Sequence, residues 1–129
     1  MVEGFWTVQF HGVQGFGSGV LTLMGGQLFG GDTSFLYSGT YVAENVPQPF
    51  AGEGRVYASS QDSLKARVHV KRYAQGLPNV MGREEFDLEL TGTVQGKTAN
   101  VVGTVPGTQL RLTATLTKQG ELPKPAMAA

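Results

Sequence analysis

The chain has 129 residues, ten basic and ten acidic side chains, 19 glycines and no cysteine. That length suits one domain with a core of its own, and the even charge gives no long-range pull toward nucleic acid or an anionic membrane surface. Without cysteine there is no disulfide, no thiolate metal site and no cysteine nucleophile. The glycine, threonine, valine and leucine content favours β structure over helices.

The first predicted strand is Phe5 to Phe10, where Trp6, Val8 and Phe10 share one face and Thr7, Gln9 and His11 the other. Gly12 to Gly17 reads as a glycine-rich connection, and Ser18 to Leu23 as a second strand with Leu21 and Leu23 inward. Next comes Gly25-Gly26-Gln27-Leu28-Phe29-Gly30-Gly31-Asp32, a short strand between two glycine pairs. Gly25-Gly26 suits a two-residue hairpin turn, which sets Leu23 against Leu28 and Leu21 against Gly30. Asp32 after the second pair is placed to hydrogen-bond its own turn backbone. Phe35 to Val42 follows, with Phe35, Tyr37, Gly39 and Tyr41 on one side.

The alternation breaks from Glu44 to Ser63, where Pro47, Pro49, Gly52 and Gly54 fall; a long loop is expected at about 44–63, with Arg55-Val56-Tyr57 as a short edge segment at most. Leu64 to Tyr73 then alternates Leu64, Ala66, Val68 and Val70 against Lys65, Arg67, His69 and Lys71. Glu85 to Leu90 carries the complement. Antiparallel pairing sets Lys71 against Glu85, His69 against Asp87 and Arg67 against Glu89 outside, with Val70, Val68 and Ala66 against Phe86, Leu88 and Leu90 inside. The basic row is therefore read as one side of a solvated salt ladder. Between these strands, Ala74 to Glu84 is expected to cross as a loop with a helical turn after Pro78. A turn at Gln95-Gly96 leads into Thr98 to Val105, pairing Leu90 with Val101 and Gly92 with Ala99. Pro106-Gly107 suits a type II turn into Gln109 to Thr117, where Leu110, Leu112, Ala114 and Leu116 face inward. Residues 119–129 are expected to form a flexible Pro/Ala tail after a barrel domain of residues 1–118.

Eight mostly antiparallel strands joined largely by short turns are expected to close into a single all-β barrel, the first pairing with the last, which removes exposed edges. Eight strands enclose an interior that is either filled or holds one small ligand. Trp6, Phe10, Tyr37, Tyr41 and Phe86 are the candidate ligand contacts there, with the tyrosine hydroxyls at the rim. Phe29, Phe50 and Tyr57 are candidates for a protein interface. His11 and His69 fall on outward faces, too few for a metal site. Ser59-Ser60 and Asp62 lack a fixed histidine, and the glycine run lacks the Gly-Lys-Ser/Thr ending and following helix of a phosphate loop. The expectation is a protein that is not an enzyme and needs no cofactor. No basic segment with a long apolar run opens the chain and no stretch reaches spanning length, which favours a cytoplasmic protein without membrane contact.

Three groups of residues carry a resemblance that spans nearly the whole chain. The first is Gly4-Phe5-Trp6-Thr7-Val8-Gln9-Phe10. The second is Gly26 with Gly30-Gly31-Asp32, Tyr37 and Gly39. The third is His69-Val70, Arg72-Tyr73, Leu77-Pro78, Val80, Phe86 and Leu88. In this order the chain resembles the GrlR-type negative regulators of type III secretion and their small bacterial relatives. The resemblance implies a lipocalin-like barrel with an apolar interior and a homodimer. It also implies repression by sequestering a helix-turn-helix activator, without direct contact to nucleic acid. In that family an acidic cluster after the Tyr-x-Gly strand holds the activator. Here the equivalent is Ala43-Glu44-Asn45 with Glu44 as its one acid, followed by what reads as an insertion, so the partner-binding candidates are Glu44, Phe50 and Tyr57. The alternative is a barrel that takes a small apolar molecule or lipid.

Overall fold

A computed structural model describes residues 2–12, 15–52, 55–75 and 83–124, with side chains described at all of these except 46–52 and 55–61. The alternating stretches are strands: β1 (Gly4–Gly12), β2 (Gly15–Met24), β3 (Gln27–Gly31), β4 (Phe35–Gly52), β5 (Arg55–Arg72), β6 (Glu85–Gln95), β7 (Thr98–Thr104) and β8 (Arg111–Gly120). Each pairs antiparallel with the next, and β8 pairs with β1, closing an all-β, eight-stranded, lipocalin-like barrel. Closure gives every central strand two partners, and the apolar rows turn inward because successive side chains alternate across the wall.

Trp6, Val8, Leu21, Leu23, Leu28, Phe35, Val68, Val70, Leu88, Val101, Leu112 and Leu116 are all buried in one continuous core. Burying each large side chain of this kind contributes about 1.5–3 kcal/mol. Trp6 closes one end of the barrel: it is 1% exposed, and its indole N–H donates to the Val2 carbonyl at 2.8 Å. Lys118 continues the inward row of β8 opposite Trp6; its stem lies against Gly4 and its ammonium reaches Glu121 at 2.8 Å. The Lys118 side chain, 6% exposed, covers the barrel end while the exposed Glu121 carboxylate pairs with its charge.

The registers of the first hairpins follow the sequence. Leu23 faces Leu28 and Leu21 faces Gly30, across a turn in which Gly25 and Gly26 have φ of +58° and +82°. The β5–β6 register is also the expected one, from Lys71↔Glu85 to Ala66↔Leu90. The turn at Pro106-Gly107 closes with a Thr108 N–H bond to the Val105 carbonyl at 3.1 Å, and Gly107 has the positive φ, +78°, of a type II turn.

The structure corrects four expectations. First, β1 and β2 run further into the glycine-rich connection, pairing His11 with Phe16 and Gly12 with Gly15. Gly15 takes a φ of +118° there, and further along β2 a Cβ on Gly19 would sit 2.9 Å from the Tyr37 hydroxyl. Second, β6 and β7 turn at Gly96-Lys97, so Leu90 meets Gly103, Gly92 meets Val101 and Val94 meets Ala99. The primed hairpin turns need positive φ at their first central residue; Gly96 takes +61°, whereas the other placement would force it on Gln95. The shift spans two residues, so the inward set is unchanged.

Third, the stretch at 44–63 is a ribbon in place of a long loop: β4 and β5 pair in unbroken register out to Gly52↔Arg55. Pro47 and Pro49 are compatible with it because of parity. The Tyr41 N–H points away from β5, to the Gly26 carbonyl at 2.9 Å. In an unbroken strand residues 43, 45, 47 and 49 point the same way, so the prolines lack an N–H only on the side where no strand lies alongside among the described residues. Fourth, Gln119 and Gly120 belong to β8, Gly120 pairing with Phe5 across a register shift. The ordered chain therefore runs past the expected end at residue 118, while 125–129 lie outside the described residues. So does the expected helical turn after Pro78.

Candidate functional site

The inward rows leave an apolar cavity of about 70 Å³ in the middle of the barrel, against Phe10, Tyr37, Phe86, Leu88 and Ala114 among others. Pockets for drug-sized molecules are about 300–1,000 Å³. The space is therefore a residual gap in a largely filled interior, dry by virtue of its walls. Of the five interior candidates, Phe10, Tyr37 and Phe86 line it. Trp6 and Tyr41 are buried but do not: Trp6 serves as the end plug, and Tyr41 lies by the β2–β3 turn, its N–H bonded to Gly26.

Tyr37 brings the polar end of the lumen. Its hydroxyl donates to Asp32 Oδ2, and Asp32 Oδ1 accepts the Ser34 and Phe35 N–H groups, each at 2.8 Å. The expected turn role of Asp32 is thus present, with the tyrosine added to it. Burial first, and then the Asp32 carboxylate, push the Tyr37 phenol far above the ordinary tyrosine value. The phenol stays protonated and its proton stays committed to Asp32. The same turn anchors the end of β5, since the Tyr73 hydroxyl donates to the Asp32 carbonyl at 2.6 Å and the Tyr73 N–H to Ser34 at 2.8 Å. Beside it the Arg72 guanidinium lies 4.5 Å over the Phe35 ring and pairs with Glu84.

The exterior divides into two walls. On β5 and β6, Arg67 meets Glu89 at 3.0 Å, while His69 reaches both Asp87 and Glu85 at 2.7 Å, one through each ring nitrogen. The Asp87 and then the Glu85 hydrogen bonds raise the His69 pKa. Arg67–Glu89 and His69–Asp87 are expected rungs of the ladder, but Glu85, opposite Lys71 in register, pairs with His69 instead of forming the expected rung with Lys71. On the other wall, the outward residues of β1 through Val42 of β4 include no Asp, Glu, Lys or Arg. Phe5, Val20, Phe29 and Leu36 stand exposed there, at 42, 57, 39 and 51%. They form two adjacent rows: Phe5 is followed across the sheet by Thr22 and Phe29, and Thr7 by Val20, Gly31 and Leu36. Phe16, 79% exposed, stands at the far end of β2 against His11.

This wall was only partly legible in the sequence. Phe29 was a candidate, but the neighbours that make it part of a patch depend on cross-strand register. Of the expected partner-binding residues, Glu44 is exposed and pairs in the ribbon with Ser63, and Asn45 beside it bonds Asp62 at 3.0 Å. Phe50 and Tyr57 oppose each other in register, and their side chains lie outside the described residues. Among the described residues, no three of His, Asp and Glu gather as a metal would need. No helix among them is long and apolar enough to cross a membrane. Set against protein-family models and against curated proteins, the chain has no match in either.

Proposed function

We propose that this protein is a non-enzymatic regulatory binding protein of the GrlR-like kind. It acts in the cytoplasm as a homodimer and sequesters a protein partner, a transcriptional activator by the resemblance. The observation that carries this reading is the uncharged outer wall, where Phe5, Val20, Phe29 and Leu36 stand in two adjacent exposed rows. Large apolar side chains grouped on a surface mark interaction sites, whereas single ones need no explanation. The salt ladder on β5 and β6 keeps the opposite wall solvated and so gives the barrel one sticky side. The partner contact is thereby moved from the acidic loop of the family to the wall of β1–β4. Replacing Val20 by Asp together with Leu36→Glu is expected to abolish stoichiometric capture of a protein partner from native lysate, with the melting temperature unchanged. Capture that survives both charges would contradict the reading.

A second reading is favoured by the lumen, where Phe10, Tyr37 and Phe86 face an apolar gap. It would take a small neutral apolar molecule. At about 70 Å³ the gap does not suit a lipid chain without repacking of its walls, which ranks this reading second.

A further inference from the structure

The two edges of the β4–β5 ribbon differ. β6 pairs with β5 only as far as Asp62↔Val94, and β3 pairs with β4 only over Leu36 to Thr40, with one further bond at Tyr41. Among the described residues, no third strand pairs with either ribbon strand beyond those points. Parity then fixes which backbone groups face outward. On β4 the Tyr41 N–H points away from β5, so the outward positions further along are 43, 45, 47, 49 and 51, and two of them are proline. On β5 the Arg72 N–H points away from β4, to the Glu84 carbonyl at 3.0 Å. With no register shift along β5, the outward positions past β6 are Val56, Ala58 and Ser60. None is proline, so each presents both an N–H and a C=O. Proline blocks one edge against strand addition, and along the other no strand lies among the described residues.

From this asymmetry we infer that the outer edge of β5 at Val56, Ala58 and Ser60 is the interface between two copies of this chain. The copies pair edge to edge and antiparallel in a four-stranded ribbon. Ala58 lies on the two-fold axis opposite its own counterpart, and Val56 pairs with Ser60 of the second copy. Each of these is a hydrogen-bonded position on both strands, so the edge is complementary to itself without a bulge. A second copy fits better than a strand from another protein. It brings Pro47 and Pro49 to both outer edges of the four-stranded ribbon, so growth stops at two, as a closed two-fold assembly requires. Pairing also stabilises the ribbon itself, because an isolated two-stranded hairpin is marginal in water. This inference deepens the proposed homodimer by placing its interface, and it does not depend on which partner the outer wall binds.

Sedimentation of the full chain over a concentration series tests it. The wild-type chain is expected to be a dimer, and Ala58→Pro, which removes an N–H that the β4–β5 ladder does not use, a monomer. The Trp6 fluorescence melt of that variant is expected to match wild type. Restoring both N–H groups with Pro47→Ala and Pro49→Ala is expected to let assembly continue past the dimer. Independently of any variant, amide exchange at Val56, Ala58 and Ser60 is expected to slow as concentration rises. A monomeric wild type, a dimeric Ala58→Pro, or exchange at these amides that ignores concentration would overturn the interface. Leu36→Glu is expected to leave the dimer intact, so loss of the interface and loss of the partner-binding wall read out separately.

Discussion

At the scale of single residues, Asp32 carries more than its exposure suggests. One carboxylate closes the β3–β4 turn through Ser34 and Phe35 and also holds the Tyr37 hydroxyl. Removing it leaves two turn N–H groups and a buried phenol without their acceptor. Asp32→Ala is therefore expected to lower stability by about 2–3 kcal/mol in urea unfolding, and Tyr37→Phe by about 1 kcal/mol, since the phenylalanine leaves the turn bonds in place. Equal losses from both would mean that the tyrosine bond, and not the turn, is what Asp32 supplies. The turn role is legible in the sequence because Gly-Gly-Asp before a strand names a reversal and a side chain able to cap it. The link to Tyr37 is not. Alternation says that Tyr37 points inward, but how far its hydroxyl reaches depends on Gly19 of β2, on the far side of β3, which leaves it room.

At the scale of elements, parity was readable and register only where chemistry pinned it. The charges of β5 and β6 fix Lys71 against Glu85, because any one-residue slip would bury them. Between β6 and β7 no charge marks the pairing, and the turn is decided by which residue tolerates positive φ, so the register moved by two while the inward set held. The ribbon at 44–63 was hidden because proline reads as a strand breaker. Its tolerance depends on which edge its nitrogen faces, a fact set by the whole sheet. The ladder yields a pH dependence. The His69 pKa is raised in the folded protein from its ordinary value of 6.5, so the stabilisation is fully present below that value and fades as pH rises through the folded pKa. The wild-type melting temperature, compared with that of His69→Gln, is expected to show an advantage at pH 6 that shrinks by pH 8. The effect is expected to be small and weakened by salt, since these side chains are about half exposed. A difference independent of pH would show that the His69 contacts do not require its charge.

At the scale of the whole molecule, the closed barrel follows from inward rows that persist strand after strand. Val68, Leu88 and Leu112, from three different strands, are all buried against one lumen. The sequence could not say how full that lumen is. The answer depends on whether small inward residues such as Ala66, Gly103 and Ala114 offset the aromatic rings, and they nearly do, leaving about 70 Å³. Ala114→Val adds two methyl groups beside that gap. It is expected to be neutral or to stabilise by up to about 1 kcal/mol in thermal unfolding; a loss of about 1–3 kcal/mol would indicate a wall with no space to fill. On the proposed reading, a filled barrel with an uncharged outer wall works from its surface. Native mass spectrometry of the full chain, purified without denaturation, tests that claim most directly. The account expects polypeptide mass alone, as paired chains, and a retained apolar molecule at one per barrel would contradict it.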